Sequence, residues 1–335
     1  MFSSRQVTRN LILLAAVAGL ALSQPSFSHA STWKKLAPAA SPKARSYCAM
    51  AYDPVSKKIV LYGGEDSNGT DFNDTWTFDG ITWSQVKTSV APSARHFVTF
   101  AFDRRSNKLV LFGGLNANTQ AISQDTWEWD GATSTWTQVK MKKSPPAGYA
   151  SMLFSDPHSG AAIMFGGFNI THKVPAYYAT WRFTGTSWRK LNPSNVPTAR
   201  GWGIAWLDRN RNNVIMTGGN GDTIRADNTW LWDGSNWTQQ FPSTQIQATQ
   251  GSSYAFDPAL QSVVVFGGFG TQTGETNQTW EWSGTDWIQL NPAKLPSARE
   301  GSGMAYDPVS KQTLMFGGQL ANGNALGDTW QLVGH

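Results

Sequence analysis

Short apolar runs alternate with polar turn sequences along almost the whole chain. Within residues 46–86 the runs read SYCAMAY, KIVLYGG, TWTFD and TWSQV, and Asp-Pro, Gly-Gly and Asp-Gly signals separate them. Short runs rich in β-branched and aromatic side chains and bounded by such turns are typical of β-strands. No stretch after residue 30 shows the period of about 3.6 residues that marks an amphipathic helix. The pattern predicts four short antiparallel strands in this segment.

The four-strand segment recurs along the chain at a nearly constant spacing. A Gly-Gly pair ends an apolar run six times, in steps of 49 to 53 residues, with first glycines Gly63, Gly113, Gly166, Gly218, Gly267 and Gly317. A Thr-Trp pair follows each of them, at Trp76, Trp127, Trp181, Trp230, Trp280 and Trp330. The fourth strand carries a further tryptophan, at Trp33, Trp83, Trp136, Trp188, Trp237 and Trp287. Four strands in a repeat of about 50 residues predict the blade of a β-propeller.

The diglycine behind an apolar second strand, followed by two spaced tryptophans, resembles the kelch motif. The resemblance covers essentially the whole chain after residue 30. It implies an all-β, six-bladed kelch-type β-propeller with four antiparallel strands per blade, a fold that serves as an interaction scaffold in many settings. Residues 31–335 are therefore expected to form one domain.

The phase of the repeat predicts how the ring closes. The chain begins, after residue 30, with the fourth-strand segment STWKKL and ends with the third-strand segment DTWQLVGH. Five complete repeats lie between these two pieces. We expect the N-terminal strand to complete the C-terminal blade, because closure removes exposed sheet edges.

Residues 1–30 have the pattern of a secretory signal peptide. Arg5 and Arg9 precede the apolar run from Leu11 to Leu22, and residues 28–30 offer a cleavage site between small residues. An uncleaved anchor is the alternative, but the run is shorter than the roughly 20 residues that span a bilayer. We predict export to the periplasm or the medium, and no membrane span in the rest of the chain.

The net charge and the cysteine content limit which partners and which covalent crosslinks are expected. The formal net charge of +5 falls to +3 without the leader, which gives no reason to expect a nucleic acid. Cys48 is the one cysteine, so no internal disulfide forms. We expect a monomer without a cofactor, whose partner is a glycan or a protein.

A Pro-x-Ala-Arg sequence opens the inner strand of four blades, with Arg45, Arg95, Arg200 and Arg299. Gly148 and Thr249 interrupt the series. Two residues after three of these arginines stand Tyr47, Phe97 and Trp202, which the period of two places on the same side as the arginine. Side chains turned to the channel mouth would form a cationic, aromatic cup for a carboxylate, a phosphate or a sugar. The alternative is structural: each arginine ties its blade to a neighbour through backbone carbonyls, since the arginine resembles a part of the kelch repeat itself.

Length varies mainly between the second and third strands, so the face that carries these loops is the predicted binding face. Glu65 and Glu275 lie in two of the loops, at residues 65–73 and 269–277, and are candidate ligand contacts. Fifteen of the 17 tryptophans occupy repeated positions and are predicted to be packing residues. The other two, Trp202 and Trp206, lie off the pattern on the inner strand of the fourth blade.

Three functions follow from these features. The first is non-catalytic binding of a glycan or a protein at the loop face and channel mouth. The second is a mutarotase or epimerase similar to the periplasmic kelch propellers that act on sialic acid, with an arginine for the carboxylate and Glu65 or Glu275 as acid and base. Glu300 and His96 adjoin arginines, and strand alternation predicts that they point away from the cup.

The third function is a copper-radical oxidase of the galactose oxidase type, which shares kelch repeats. The family's site needs a Cys-Tyr crosslink with further Tyr and His ligands. Outside the leader the only histidines are His96, His158, His172 and His335, and they lack metal-ligand spacing. We therefore predict no metal site and no catalytic residue.

Overall fold

A computed structural model describes residues 31–169, 176–221, 228–246, 250–270 and 273–334. The predicted signal peptide, residues 1–30, lies outside the described residues, as do Thr249, His172 and His335. Within the described ranges the regular secondary structure is entirely β, and no helix there is long and apolar enough to cross a membrane.

The strands in chain order are β1 (Thr32–Leu36), β2 (Ala49–Asp53), β3 (Lys58–Tyr62), β4 (Thr75–Phe78), β5 (Trp83–Val86), β6 (Phe100–Asp103), β7 (Lys108–Phe112), β8 (Thr126–Asp130), β9 (Thr135–Gln138), β10 (Met152–Ser155), β11 (Ala162–Phe165), β12 (Thr180–Phe183), β13 (Trp188–Lys190), β14 (Ile204–Asp208), β15 (Asn213–Thr217), β16 (Thr229–Trp232), β17 (Trp237–Gln240), β18 (Ser253–Asp257), β19 (Ser262–Phe266), β20 (Phe269–Gly270), β21 (Gly274–Glu275), β22 (Thr279–Trp282), β23 (Trp287–Leu290), β24 (Gly303–Asp307), β25 (Gln312–Phe316) and β26 (Thr329–Val333).

Six four-stranded antiparallel sheets form the blades of a β-propeller. Blades 1 to 5 follow the chain as β2-β3-β4-β5, β6-β7-β8-β9, β10-β11-β12-β13, β14-β15-β16-β17 and β18-β19-β22-β23. Blade 6 has the order β1-β26-β25-β24, with Trp33 opposite Leu332. The predicted six blades and the closure by the N-terminal strand are confirmed. The short pair β20-β21, inside the blade 5 loop, was not predicted.

The repeated tryptophans hold adjacent blades together. The indole N–H of each fourth-strand tryptophan donates to the threonine hydroxyl of the Thr-Trp pair in the preceding blade. Trp136 of blade 2, for example, donates to Thr75 of blade 1 over 2.8 Å. The same indole packs at an edge-on angle against Tyr62 of blade 1. The hydrophobic clusters likewise join two blades each, so the core lies between the sheets.

The diglycine turns are required by the close approach of the next blade. Gly63 has φ of 69°, and a Cβ on it would lie 2.6 Å from the carbonyl oxygen of Arg95 in blade 2. The neighbouring Gly64 N–H donates to the same carbonyl over 3.0 Å. Only glycine fits both the positive φ and this contact. The diglycine motif therefore serves the packing of adjacent blades, and its role is structural.

Candidate functional site

The four repeated arginines lie inside the blades and do not turn to the channel mouth. Arg45, Arg95, Arg200 and Arg299 are each at most 1% exposed. Arg45 donates to the carbonyl of Gly63 over 2.9 Å and forms two hydrogen bonds with Asp74, over 2.5 and 3.0 Å. Arg95 with Asp125 and Arg299 with Asp328 repeat this pairing. Arg200 donates to the carbonyls of Gly218 and Thr198.

This placement corrects the expected cationic cup. The guanidinium groups are occupied by carboxylate and carbonyl oxygens of their own blade, which leaves them without access to a ligand. The geometry matches the structural alternative with one difference. The side chains brace their own blade, and the arginine's backbone carbonyl is the part that accepts from the preceding blade.

The reason for the different direction is a ring of left-handed residues at the channel mouth. Its members, one from each blade, are Tyr47, Phe97, Ala150, Trp202, Gly251 and Gly301, with φ between 53° and 67°. Each backbone N–H donates to the carbonyl of the member in the preceding blade over 2.6 to 3.2 Å, and Tyr47 closes the circle by donating to Gly301. We call this set the mouth ring. A left-handed residue ends strand alternation, so the period of two does not apply here.

Three aromatic side chains of the mouth ring stand together on one side of the channel. Tyr47 and Phe97 have ring centroids 4.4 Å apart, and Phe97 and Trp202 are 5.5 Å apart. All three are half-buried. The predicted grouping of these aromatics at the mouth is present. Trp206, in contrast, is 4% exposed and packs on Trp287 between blades 4 and 5.

Carboxylates, and not arginines, accompany the aromatic residues. Glu300 is 7% exposed and accepts a hydrogen bond from the side-chain amide of Gln319 over 3.0 Å at Oε1, whereas Oε2 makes none. The same amide donates to the Tyr47 hydroxyl over 3.3 Å. Burial raises the pKa of Glu300. Burial also raises the pKa of Tyr47, and the charges of Glu300, Glu275 and Glu65 act in the same direction.

His96 and Glu65 form the second half of this group. His96 Nδ1 lies 2.7 Å from Asp71 Oδ1, and its Nε2 lies 3.7 Å from Glu65 Oε2. Glu65 is half-buried, and burial raises its pKa against the opposing effect of His96. His96 also stacks beside Phe97, with ring centroids 4.2 Å apart. Glu300 and His96 therefore do not share a site with their arginines, as expected, but they lie beside the mouth aromatics, which were expected to stand with the arginines.

We call Tyr47, Glu65, Phe97, Trp202, Glu275 and Glu300, with their partners His96, Asp71 and Gln319, the mouth cluster. Sequence reasoning placed Glu300 and His96 away from the cup and did not single out Asp71 and Gln319. The glycines at ring positions 251 and 301 were an available signal, because glycine there indicates a positive φ. Among the described residues, no group of three or more His, Cys, Asp and Glu side chains is arranged to hold a metal ion.

Comparison with known proteins places the chain in a family. The profile of the KLHDC2/KLHL20/DRC7 Kelch-repeats domain matches residues 27–195, which is half of the chain. The chain belongs to the kelch-repeat family. The structure of YjhT superimposes on the kelch propeller with a TM-score of 0.66 and 17% sequence identity, over 87% of this chain and 95% of that chain. At this identity the likeness concerns the fold alone. No curated protein sequence matches the chain.

The mouth ring lies above a channel along the axis of the kelch propeller. The channel cavity has a volume of about 310 Å³ and is lined by the inner strands. Its opposite end carries the half-buried rings of Tyr52, Phe102, Phe256 and Tyr306. Cys48 lines the cavity too, and burial raises the pKa of its thiol to about 11, so it stays protonated at neutral pH.

The buried ion pairs predict an acid-sensitive fold. Burial acts to raise the pKa of Asp74, Asp125 and Asp328, but the hydrogen bond and charge of each arginine outweigh it and lower the pKa. A carboxyl that ionises more readily in the folded state stabilises the fold above its ordinary pKa of about 3.9, and this contribution is lost as the pH falls through the lowered value. We expect the free energy of unfolding, measured with urea, to fall steeply below about pH 4.

The raised pKa values of Glu65 and Glu300 have the opposite effect on the free energy of unfolding. Protonation at low pH stabilises the fold here, because these buried carboxyls are unfavourable in their ionised form. Their effect lies at higher pH than the loss of the aspartate contribution. Asp125→Asn should make the fall below about pH 4 shallower than in the parent protein. An unfolding free energy that stays constant from pH 5 to pH 2.5 would contradict the stabilising role of the pairs.

Proposed function

We propose that the kelch propeller is a non-catalytic binding protein that holds a glycan at the mouth cluster, on the loop face. The observation that carries the proposal is the combination of Tyr47, Phe97 and Trp202 with Glu65 and Glu300 around one opening. Aromatic faces receive the C–H faces of sugar rings, and carboxylates accept hydrogen bonds from sugar hydroxyls. A protein segment that carries hydroxyl or amino groups is the alternative occupant.

The electrostatics of the mouth cluster favour a neutral or amino sugar over a sugar acid. Arg45, Arg95 and Arg299 are buried in ion pairs with aspartates, and Arg200 is buried against backbone carbonyls, so their guanidinium groups are not open to a ligand carboxylate. The negative charges of Glu65, Glu275 and Glu300 all act on the Tyr47 hydroxyl. Placing another carboxylate among them adds like-charge repulsion. A protonated amino group would instead gain from these charges.

Substitution in the mouth cluster tests this proposal. On an array of neutral, amino and acidic glycans we expect signals for the first two classes. The affinity of the strongest glycan, measured by calorimetry, should fall about tenfold or more in Glu300→Gln or Glu65→Gln, since a hydrogen bond to a charged group is worth about 1.5–3 kcal/mol. Phe97→Leu should weaken binding by removing the aromatic face.

Glu128→Gln is the matched control, because Glu128 lies on β8 beside Lys108, away from the mouth. Its affinity should equal that of the parent. Unchanged glycan binding in all three mouth variants would show that the mouth cluster is not the site. Signals for no glycan, together with capture of a protein partner that the mouth variants lose, would favour the protein alternative.

A mutarotase is the second candidate, and the pair Glu65 and His96 favours it. The raised pKa of Glu65 and the distance of 3.7 Å to His96 Nε2 would suit a carboxyl acting as acid and an imidazole acting as base at a sugar ring. Anomer exchange measured by NMR with galactose, glucosamine and N-acetylneuraminate distinguishes the two functions. Acceleration that Glu65→Gln abolishes would establish catalysis, and rates equal to those in buffer would support binding alone.

Export remains part of the proposal and has a separate test. Fractionation of the native host followed by mass spectrometry should find a mature N-terminus at Ser31 in the periplasm or the medium. Light scattering of the mature protein should give the mass of a monomer. A chain that retains residues 1–30 in the cytoplasm would contradict export.

A further inference from the structure

Blade 3 lacks both members of the buried ion pair. Gly148 stands where blades 1, 2 and 6 have arginine, and Ala179 stands where they have aspartate. The backbone contacts confirm that these positions are equivalent. Gly114 N–H donates to the carbonyl of Gly148 as Gly64 donates to that of Arg95, and Gly166 donates to Ala179 as Gly63 donates to Asp74. Blade 3 therefore keeps the backbone hydrogen bonds of the other blades but lacks both charged side chains.

Their removal leaves a cavity that is lined with rings. Its volume is about 560 Å³, which lies within the range of about 300–1,000 Å³ typical of small-molecule sites. Pro145, Pro146, Met164, Tyr177 and Tyr178 form much of its wall. Tyr178 is 57% exposed at the surface. We call this space the blade 3 pocket, and it contains none of the mouth cluster residues.

A hydrogen-bond donor in the blade 3 pocket has lost its acceptor. In blades 1, 2 and 6 the indole N–H of the Thr-Trp pair donates to the aspartate of the ion pair over 2.7 Å. Trp181 is the corresponding residue of blade 3, is 9% exposed and lines the pocket beside Ala179. Its Nε1 has no hydrogen-bond partner among the described residues. A ligand acceptor at the former carboxylate position would restore that bond.

A positive charge stands at the same place. Lys190 lies opposite Trp181 in the β12-β13 register, lines the pocket and makes no ion pair within the described residues. The equivalent position has glutamine in blades 1, 2, 4 and 5, at Gln85, Gln138, Gln239 and Gln289. Blade 6 has Lys35, whose charge helps to lower the pKa of Asp328. Blade 3 keeps the lysine without the aspartate.

We propose that the blade 3 pocket binds a small aromatic carboxylate. The ring would lie against the prolines and tyrosines, and the carboxylate would take the place of the missing aspartate, between Trp181 Nε1 and Lys190. The missing arginine offers an argument for a cationic ligand, because Tyr177 occupies the place of Phe72, over whose ring Arg45 lies at 4.1 Å. A cation would, however, find no carboxylate among the described residues that line the pocket, and it would face Lys190.

Three fluorinated probes of one shape test the ligand class: 4-fluorobenzoate, 4-fluorobenzamide and 4-fluorobenzylamine, titrated with the full-length mature protein and followed by ¹⁹F NMR. We expect 4-fluorobenzoate to bind most tightly, the neutral amide more weakly and the amine least. Equal or tighter binding of the amine would overturn the proposal in favour of a cation site. Equal binding of the acid and the amide would remove the role of the charge and overturn it as well.

Two substitutions locate the site. Lys190→Gln introduces the residue of four other blades and should weaken 4-fluorobenzoate about threefold to fivefold while the amide is unaffected. Trp181→Phe keeps a ring but removes the N–H and should weaken it about tenfold or more. Lys35→Gln, at the same position of blade 6, is the matched control and should bind like the parent. If Lys35→Gln and Lys190→Gln have the same effect, the charge acts at long range and the pocket is not the site.

The pair Gly148→Arg with Ala179→Asp should close the pocket. A Cβ on Gly148 would meet its nearest atoms at 3.4 and 3.5 Å, which is ordinary contact, so the position has room for a side chain. We expect this double variant to lose 4-fluorobenzoate binding, with the thermal midpoint unchanged or raised. If the folded double variant binds 4-fluorobenzoate as tightly as the parent, the proposal is overturned. If the double variant does not fold, the Lys190→Gln and Trp181→Phe variants provide the test.

Discussion

Asp125→Ala is expected to lower the free energy of unfolding by about 3–5 kcal/mol. The substitution leaves the guanidinium of Arg95, which is 1% exposed, without its carboxylate, and it removes the acceptor of the Trp127 indole N–H. An uncompensated buried charge costs more than the pair contributes when intact. Urea unfolding followed by circular dichroism at pH 7 measures the effect.

Replacement of both partners is the informative control. Arg95→Met with Asp125→Leu removes more native atoms than the single substitution, yet we expect it to be less destabilising, because no charge remains buried. The Gly148 and Ala179 combination of blade 3 shows that the blade frame forms without the pair. A double variant less stable than Asp125→Ala would mean that the pair itself, and not the orphaned arginine, dominates the cost.

Trp33→Ala is expected to cost about 3–5 kcal/mol and to loosen the closure of the ring. Trp33 is fully buried on β1, packs edge-on against Phe266 with centroids 5.2 Å apart, and donates to Thr279 of blade 5 over 3.1 Å. Its strand completes blade 6, so weakening it exposes the edge of β26. Urea unfolding gives the loss of stability, and light scattering on mild heating should show earlier aggregation.

Lys34→Ala on the same strand is the control for Trp33. Lys34 is exposed and points away from the blade interface, so its removal should change stability by less than about 0.5 kcal/mol. Similar losses in both variants would indicate that the strand pairing, rather than the tryptophan, closes the ring. A loss below 1 kcal/mol in Trp33→Ala would contradict its role at the seam.

The fold was predictable because its constraints repeat. Gly63 and its equivalents avoid a clash with the next blade, and Trp33 and its equivalents form a hydrogen bond to the preceding blade. The same packing requirements therefore apply in all six blades and produce a period in the sequence. The closing strand was predictable as well, since the phase of the repeat left one strand over at the N-terminal end and a last blade that lacked its fourth strand. The pair β20-β21 extends by one residue pair a bridge that also occurs in blades 1, 2, 3 and 6, such as Glu65 opposite Asp71. A pairing this short leaves no alternating pattern in the sequence.

The side-chain directions at the channel mouth were not predictable from strand alternation. A left-handed residue two positions after an arginine, such as Phe97 with φ of 53°, sets its own side chain beside His96 and apart from the buried Arg95. Tyrosine, phenylalanine and tryptophan rarely adopt this conformation, so their presence conceals it. Gly251 and Gly301 at the same position marked it in the two blades where the side chain is absent.

The blade 3 pocket illustrates another limit. The interruption of the arginine series at Gly148 was visible in the sequence, but its meaning depends on Ala179, 31 positions later. Comparing both positions across the six blades shows that blade 3 lacks the arginine and the aspartate together, whereas blade 4 keeps Arg200 and has Asn228 in place of the aspartate. The blades of a repeat protein can thus be aligned with one another. Where one blade differs from the others at two positions that contact each other, the difference indicates a different local function in that blade.

The mouth ring has no first and no last member. Each of its six hydrogen bonds joins one blade to the one before it, and the bond from Tyr47 to Gly301 is the same as the others. Thr32 lies opposite Val333 on paired strands, so a short linker can join these two ends. A circularly permuted chain that is opened between two other blades would keep every one of these bonds. The order of the blades along the chain is therefore separable from their order in the ring.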